Sequence, residues 1–310
     1  MFLDNPCFPA IIGPCRKGNR HSATGRMNRY HLQVEEYQQG SKLLPLLLRA
    51  YPMAPGWSIR QALKRRDVKV DGRRVDGNVA LRTGQLIEWY TDWAPPVIPI
   101  VYEDNEVLVI NKPAGISSDP QTGEQLHLTQ LLSAQTGNAT PLFLVHRLDH
   151  QTSGLLILAR NSQAETALQA VFKEGLVDKT YTCLVKGLMA KTGDTLRAWL
   201  RKDAMRSMVQ VLHHPAADAR EIVTSYRLLG EEGACSRLEV QLHTGRTHQI
   251  RAHLADAGHP LLGDEKYGDF AFNRQQKASR LMLCATKLQF RTIEALPGLQ
   301  DRTFSIPAPF

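Results

Sequence analysis

An aspartate between two apolar runs is the first candidate for chemistry in this chain. Leu142-Phe143-Leu144-Val145 reads as a buried strand and runs into His146-Arg147-Leu148-Asp149. Then come the turn Gln151-Thr152-Ser153-Gly154 and a second apolar run from Leu155 to Leu158. A carboxylate on a turn between two buried strands is held by rigid elements, as a precisely placed reactive group must be. It can serve as a nucleophile or as a general acid or base. The same pattern fits a plain turn, because aspartate readily bonds its own backbone. Histidines are the second candidate: His243, His248 and His253 recur every five residues, with His259 nearby. Metal ligands sharing a helix face are spaced by three or four, so this spacing turns them apart and no metal centre is expected. The five cysteines form no C-x-x-C pair and do not read as a disulfide framework.

Charge divides the chain unevenly. The 310 residues carry a formal net charge of +8. Residues 1–27 hold Arg16, Lys17, Arg20 and Arg26 against Asp4, and residues 28–96 hold eleven basic against seven acidic side chains. Nearly all the excess therefore sits in the first third. A surface of that sign suits a polyanion, since phosphate neutralisation supplies most non-specific nucleic-acid affinity. With 43% hydrophobic residues the chain can build a packed core. No apolar run approaches the roughly 20 residues that cross a bilayer, and the first residues lack the order of a signal peptide. A cytoplasmic, monomeric protein is expected.

Several elements must position these groups. Residues 1–27, rich in Pro, Gly and small polar residues, read as a disordered tail, and Met27 is an alternative start. Residues 28–92 read as a small α+β domain. Leu43, Leu44, Leu47 and Leu48 recur at helical spacing after Ser41, with Pro45 still early in the helix. Ser58 is placed as the N-cap of a second helix through Ile59, Ala62 and Leu63. Val68-Lys69-Val70 and Val75 flank Asp71-Gly72, a hairpin signal, and a strand is expected from Gln85 to Tyr90. Arg60, Lys64, Arg65, Arg66, Lys69, Arg73 and Arg74 lie on this helix and hairpin, several on one exposed stripe. The prolines at 95, 96 and 99 make residues 93–99 a linker.

Residues 100–310 read as the larger domain. Asp104-Asn105 marks a hairpin between Val101-Tyr102 and Val107–Ile110. Ser162 and Glu165 form a capping box for a helix ended by Gly175. Leu238, Val240 and Leu242 alternate as a strand. Ile250, His253, Leu254 and Ala257 mark a short helix stopped at Gly258. Many strands and few helices, without βαβ rhythm, give an α+β fold on a mixed or antiparallel sheet with flanking helices.

Four stretches of this larger domain, in order, carry a resemblance. His146 to Ala159, reading His-Arg-Leu-Asp-His-Gln-Thr-Ser-Gly-Leu-Leu-Ile-Leu-Ala, closely resembles the signature of RluA-type pseudouridine synthases. Val101 to Gly115, ending in Asn111-Lys112-Pro113-Ala114-Gly115, resembles that family's opening strands and turn. Lys179-Thr180-Tyr181 resembles its lysine–tyrosine strand. Thr244 to Arg251, with Gly258-His259-Pro260-Leu261 and Gly263-Asp264, resembles its third block. Ser58 to Tyr90 resembles the S-four-like RNA-binding domain that is common in front of this catalytic domain. Leu283-Cys284-Ala285 departs from the family in lacking the histidine often found before the alanine.

The resemblance implies a pseudouridine synthase fold and an isomerase acting on uridine in RNA. The N1–C1′ bond breaks, uracil turns, and C5 joins C1′. Nothing is oxidised or added, so no cofactor is implied. Asp149 becomes the catalytic carboxylate, which attacks the sugar or the base or removes a sugar proton. Arg246 is implied as its counter-ion and Tyr181 as the ring beside the flipped uracil. Arg147 fills the space of the extracted nucleotide or makes a structural ion pair, and Leu242 packs beneath the site. The partner implied is RNA. Tyr267-Gly268-Asp269 through Phe272-Asn273-Arg274 favours large-subunit ribosomal RNA. The alternatives are transfer RNA as substrate, or a non-catalytic RNA-binding protein.

Overall fold

The computed structural model describes residues 28–51, 54–94, 96–119, 127–136, 141–203, 208–293 and 295–310, so the expected tail at 1–27 lies outside the described residues. The chain divides into two compact units, one running to Val97 and including residues 119–139, the other comprising 98–118 and 140–310.

In the first unit, β1 (Asn28–Gln33), α1 (Leu43–Ala50), α2 (Gly56–Arg65), β2 (Val68–Val70), β3 (Arg73–Val75) and β4 (Leu86–Thr91) form a four-stranded antiparallel sheet, ordered β1-β4-β2-β3, and two helices. A further helix, α3 (Leu128–Gln135), belongs to the same unit. Leu43, Leu46, Leu47 and Ala50 of α1 and Ile59, Ala62 and Leu63 of α2 are buried, the spacing of one helix face each. Asp71 and Gly72 both take left-handed backbone (φ 50° and 76°), which a two-residue hairpin turn demands.

Two local expectations fail here. Helix α2 begins at Gly56 with Pro55 as its cap; Ser58 sits within the first turn, its hydroxyl donating to the Pro55 carbonyl at 2.7 Å. Trp93 is not free linker, since its ring stacks on buried Trp89 at 5.6 Å and its carbonyl accepts bonds from Asn28 and Tyr30. The basic side chains do not form one stripe either. Arg60 and Lys64 lie one turn apart on α2. Lys69 and Arg74 are register partners and share one face of the hairpin, while Arg73 pairs with Val70 on the other. Arg66 ends α2 in left-handed backbone and pairs with Asp76.

The second unit is a mixed sheet of eleven strands. They are β5 (Ile100–Glu103), β6 (Val107–Lys112), β7 (Phe143–Leu144), β8 (Ser153–Ala159), β9 (Val177–Lys186), β10 (Gly193–Asp203), β11 (Met208–Leu212), β12 (Ala219–Glu232), β13 (Cys235–Leu242), β14 (Leu283–Phe290) and β15 (Thr303–Ser305). The main order is β11-β10-β12-β13-β9-β14-β8-β6-β5, with β7 on β8 and β15 on β14. Among the described residues only β8 and β14 pair in parallel. Helices α4 (Ser162–Lys173), α5 (Gln249–Asp256) and α6 (Phe270–Gln275) complete it. This matches the expected fold class. Asn161 caps α4 by accepting from the Ala164 N–H at 2.8 Å, so the cap lies one residue before the expected Ser162. Ala164, Leu168 and Val171 of α4 join Val107, Val109, Leu155, Ile157 and Phe290 in one buried cluster. No helix among the described residues is long and apolar enough to cross a membrane.

Gly154 permits the parallel join. A Cβ there would stand 2.3 Å from the Ala285 carbonyl oxygen, and its φ is 113°. Strands β8 and β14 therefore meet one turn after Asp149 at a distance only glycine allows.

Candidate active site

The Asp149 turn is held from three sides. The expected strand Leu142–Val145 shrinks to the half-buried pair Phe143–Leu144, and His146 then replaces backbone with side chain: its Nε2 accepts the Ile157 N–H at 3.1 Å. Its ring lies on Phe172, with centroids 4.4 Å apart. Burial, helped by the Lys179 charge, pushes His146 down to about 3, so it stays neutral and able to accept. Ser118 staples Leu148, donating to its carbonyl at 3.0 Å and accepting from its N–H at 3.3 Å. Within the turn, the Thr152 N–H reaches the Asp149 carbonyl at 3.0 Å.

Lys112 provides the third hold. It is fully buried at the end of β6, and Nζ donates to the carbonyls of Ile116, Pro113 and His150 at 2.9, 3.0 and 3.3 Å. Burial pushes it down to about 7, while Asp149 pulls it up. The resemblance marked this segment as a turn; the structure shows that its lysine anchors the residue after Asp149.

Asp149 opens onto a cleft of about 730 Å³. Arg147, Tyr181, Leu242 and Arg246 line the same cleft, so all the proposed active-site residues gather there. Tyr181 is buried on β9, and burial, then the Asp149 charge, raise its hydroxyl well above the usual phenol range. It therefore stays protonated. Leu242, half-buried at the end of β13, is cleft wall rather than closed core. Arg147 and Arg246 are exposed at its edge.

The counter-ion differs from expectation. Arg251, not Arg246, reaches Asp149: its Nη1 donates to Oδ2 at 3.3 Å. The other edge of the guanidinium is clamped by Asp264, with Nε on Oδ2 at 2.7 Å and Nη2 on Oδ1 at 2.8 Å. Asp264 is completely buried. Burial alone would raise its carboxyl, but the Arg251 bonds and charge and the N–H groups of Tyr267 and Lys266 outweigh that and hold it below the usual range. Arg246 instead stands three residues before α5, where its N–H donates to buried Gln249 Oε1 at 3.1 Å. Gln249 fixes that loop to β12 through Val223 and Thr224. Sequence reasoning missed Arg251, although one signal was present: a charge on a short helix whose neighbours are Ile250, Ala252 and Leu254 needs a buried partner.

His248 and Thr152 were also missed. His248 Nε2 lies 3.9 Å from Asp149 Oδ2. Thr152 lines the cleft, and its buried hydroxyl has no hydrogen-bond partner among the described residues. His243 and His253 go elsewhere, to Ser225 and Thr224. Among the described residues no group of three or more His, Cys, Asp or Glu is placed to hold a metal ion.

Known proteins are similar to this chain in sequence and fold. A sequence profile for RNA pseudouridylate synthases matches residues 106–256, which contain Asp149, Tyr181 and Arg251. Ribosomal large subunit pseudouridine synthase C of Vibrio cholerae is 31% identical over 280 residues, covering 84% of this chain and 88% of its own. Ribosomal large subunit pseudouridine synthase D of Yersinia pestis is 33% identical over 248 residues, covering 76% and 75%. Among solved structures, human RNA pseudouridylate synthase domain containing 1 superposes with a TM-score of 0.59 at 26% identity, over 70% of this chain and 87% of that one. The chain belongs to the RNA pseudouridylate synthase family, in its RluA-type branch, and is an isomerase that turns uridine in RNA into pseudouridine.

Proposed function

We propose that this isomerase modifies large-subunit ribosomal RNA and that Asp149 is its catalytic carboxylate. The observation that carries the second part is the Arg251 bridge: the one carboxylate of the turn is held at the cleft by a guanidinium that a buried aspartate keeps fixed. Two unit charges 4 Å apart attract by about 4 kcal/mol at an effective dielectric of 20, before desolvation is subtracted. Such a bridge sets a fixed positive charge beside the Asp149 carboxylate while substrate excludes water. The first part rests on relatives named for the large ribosomal subunit.

A target uridine must leave its stack to reach Asp149, at a cost of a few kcal/mol, which loops and bulges lower. Tyr181 offers its ring to the flipped base, and base–aromatic stacking contributes about 1–3 kcal/mol. Arg147 and Arg246, both at the cleft edge, are suited to the flanking backbone or to the space the nucleotide leaves. On the first unit, Arg60, Lys64, Arg65, Arg66, Lys69, Arg73 and Arg74 supply the charge for the surrounding RNA. Work on ribosomal RNA implies a cytoplasmic location.

The test is a map of pseudouridines in ribosomal and transfer RNA from cells lacking this protein. The expected result is loss at one or a few large-subunit positions, restored by the wild-type chain. Loss confined to transfer RNA overturns the substrate.

A further inference from the structure

We infer that His248 is a positioning residue that presents its Nε2–H to Asp149, with its tautomer set by the hydroxyl of Tyr267. The inference rests on Asp149 being the catalytic carboxylate.

His248 is held at a cost. It takes left-handed backbone, φ 54° and ψ 19°, as the N-cap of α5. For a non-glycine residue this conformation costs about 1–2 kcal/mol. Its side chain caps nothing, although capping is the usual reason for a polar residue there. Instead the ring turns inward, with 13% of the side chain exposed, between two partners. Nδ1 lies 2.9 Å from the Tyr267 hydroxyl, and Nε2 faces Asp149 Oδ2 at 3.9 Å.

Proton counting along this row selects one tautomer. The Val209 N–H on β11 donates to the Tyr267 oxygen at 2.8 Å. The phenol's own proton then goes to His248 Nδ1, which must accept. A neutral ring with Nδ1 as acceptor carries its proton on Nε2, aimed at the carboxylate. The opposite tautomer strands the phenol proton and sets an Nε2 lone pair against carboxylate oxygen. The ring is neutral in this setting: burial first, then Arg251 and Lys266, lower its pKa, and Asp149 and Asp264 only partly offset them.

At 3.9 Å the Nε2–H is close to Asp149 but not yet bonded to it. Catalytic hydrogen bonds are often long before substrate arrives and tighten in the complex. Arg251 and His248 both address Oδ2, which leaves Oδ1 to face the flipped nucleotide. Two donors on one oxygen fix the rotation of the carboxylate about its own axis, which a single guanidinium bond does not.

The test pairs ring NMR with single-turnover kinetics. In ¹⁵N-labelled protein at pH 7.5, the His248 signals, identified by their loss in His248→Gln, are expected to show the Nε2–H tautomer. Tyr267→Phe keeps the ring but removes the proton donor; a shift toward Nδ1–H is expected. Its single-turnover rate on RNA is expected to fall about tenfold, since a bond to a charged group is at stake, with RNA affinity unchanged. His248→Ala is expected to fall further, and His248→Gln, whose amide can replace the Nε2–H, to recover part of the rate. An Nδ1–H tautomer in the wild type, or a wild-type rate in Tyr267→Phe, overturns the inference. Asp149→Asn separates the two claims: its activity tests the carboxylate, while the tautomer set by Tyr267 is expected to survive in it.

Discussion

Arg251 is shared between two aspartates, bonded twice to Asp264 at 2.7 and 2.8 Å and once to Asp149 at 3.3 Å. The buried aspartate fixes the guanidinium, and the guanidinium fixes the carboxylate at the cleft. Asp264→Asn leaves Arg251 without its buried countercharge. Breaking one side of a buried ion pair costs about 3–5 kcal/mol. The variant is expected to lose about 3 kcal/mol of stability in urea titration and to turn over more slowly at saturating RNA.

Gly154 tests the join between β8 and β14. Ala at this position meets the Ala285 backbone at 2.3 Å, so Gly154→Ala is expected to lose roughly 3 kcal/mol or more, or to fail to fold. Gly233 also has left-handed backbone (φ 61°) but open space around it. Gly233→Ala is expected to cost only about 1 kcal/mol. Thermal melts of the two variants distinguish crowding from backbone strain.

The sequence made some of this site legible and hid the rest for physical reasons. Asp149 stood out because a turn between two apolar runs is a local pattern. Tyr181 was found through its motif, and β9 does bring it to the same cleft. The counter-ion was misassigned between Arg246 and Arg251, five residues apart in one block. Which of them faces Asp149 depends on the left-handed kink at His248 and on Asp264, thirteen residues beyond Arg251. Neither is encoded by local periodicity. The basic stripe failed similarly: helical spacing aligned Arg60 with Lys64, but strand alternation sends Arg73 and Arg74 to opposite faces. The sequence marked α5 by Ile250, His253, Leu254 and Ala257, yet Gln249 and Arg251 are buried too, each with a polar partner that lies elsewhere in the chain.

Thr152 is a buried donor without a partner among the described residues, placed on the cleft wall. An unpaired buried hydroxyl destabilises the free protein. Thr152→Val is therefore expected to leave stability unchanged or to raise it by about 1 kcal/mol. Turnover is expected to fall, because Thr152 lines the cleft within the Asp149 turn. Melting temperature and single-turnover rate, measured together, check both halves.

Two histidines tie stability to pH. Burial, with the Lys179 charge, lowers His146 to about 3; burial, with His213 adding and Asp256 opposing, lowers His253 to about 4. In the unfolded chain each titrates near about 6.5. Below that pH the unfolded state takes up protons that the fold refuses, so unfolding gains. Their contribution is full above about pH 6.5 and declines as pH falls toward 4 for His253 and toward 3 for His146. Urea unfolding free energies at pH 7.5, 5.5 and 4.5 are expected to fall in that order. In His253→Gln the slope is expected to flatten by about one proton.

Tritium release from RNA carrying 5-tritiated uridine tests the central claim most directly, because exchange of the glycosidic bond from N1 to C5 must expel that atom. Wild-type protein is expected to release tritium in step with pseudouridine formation, and Asp149→Asn to release none above background while still binding the RNA. Equal release from both proteins contradicts the assignment of Asp149 as the catalytic carboxylate.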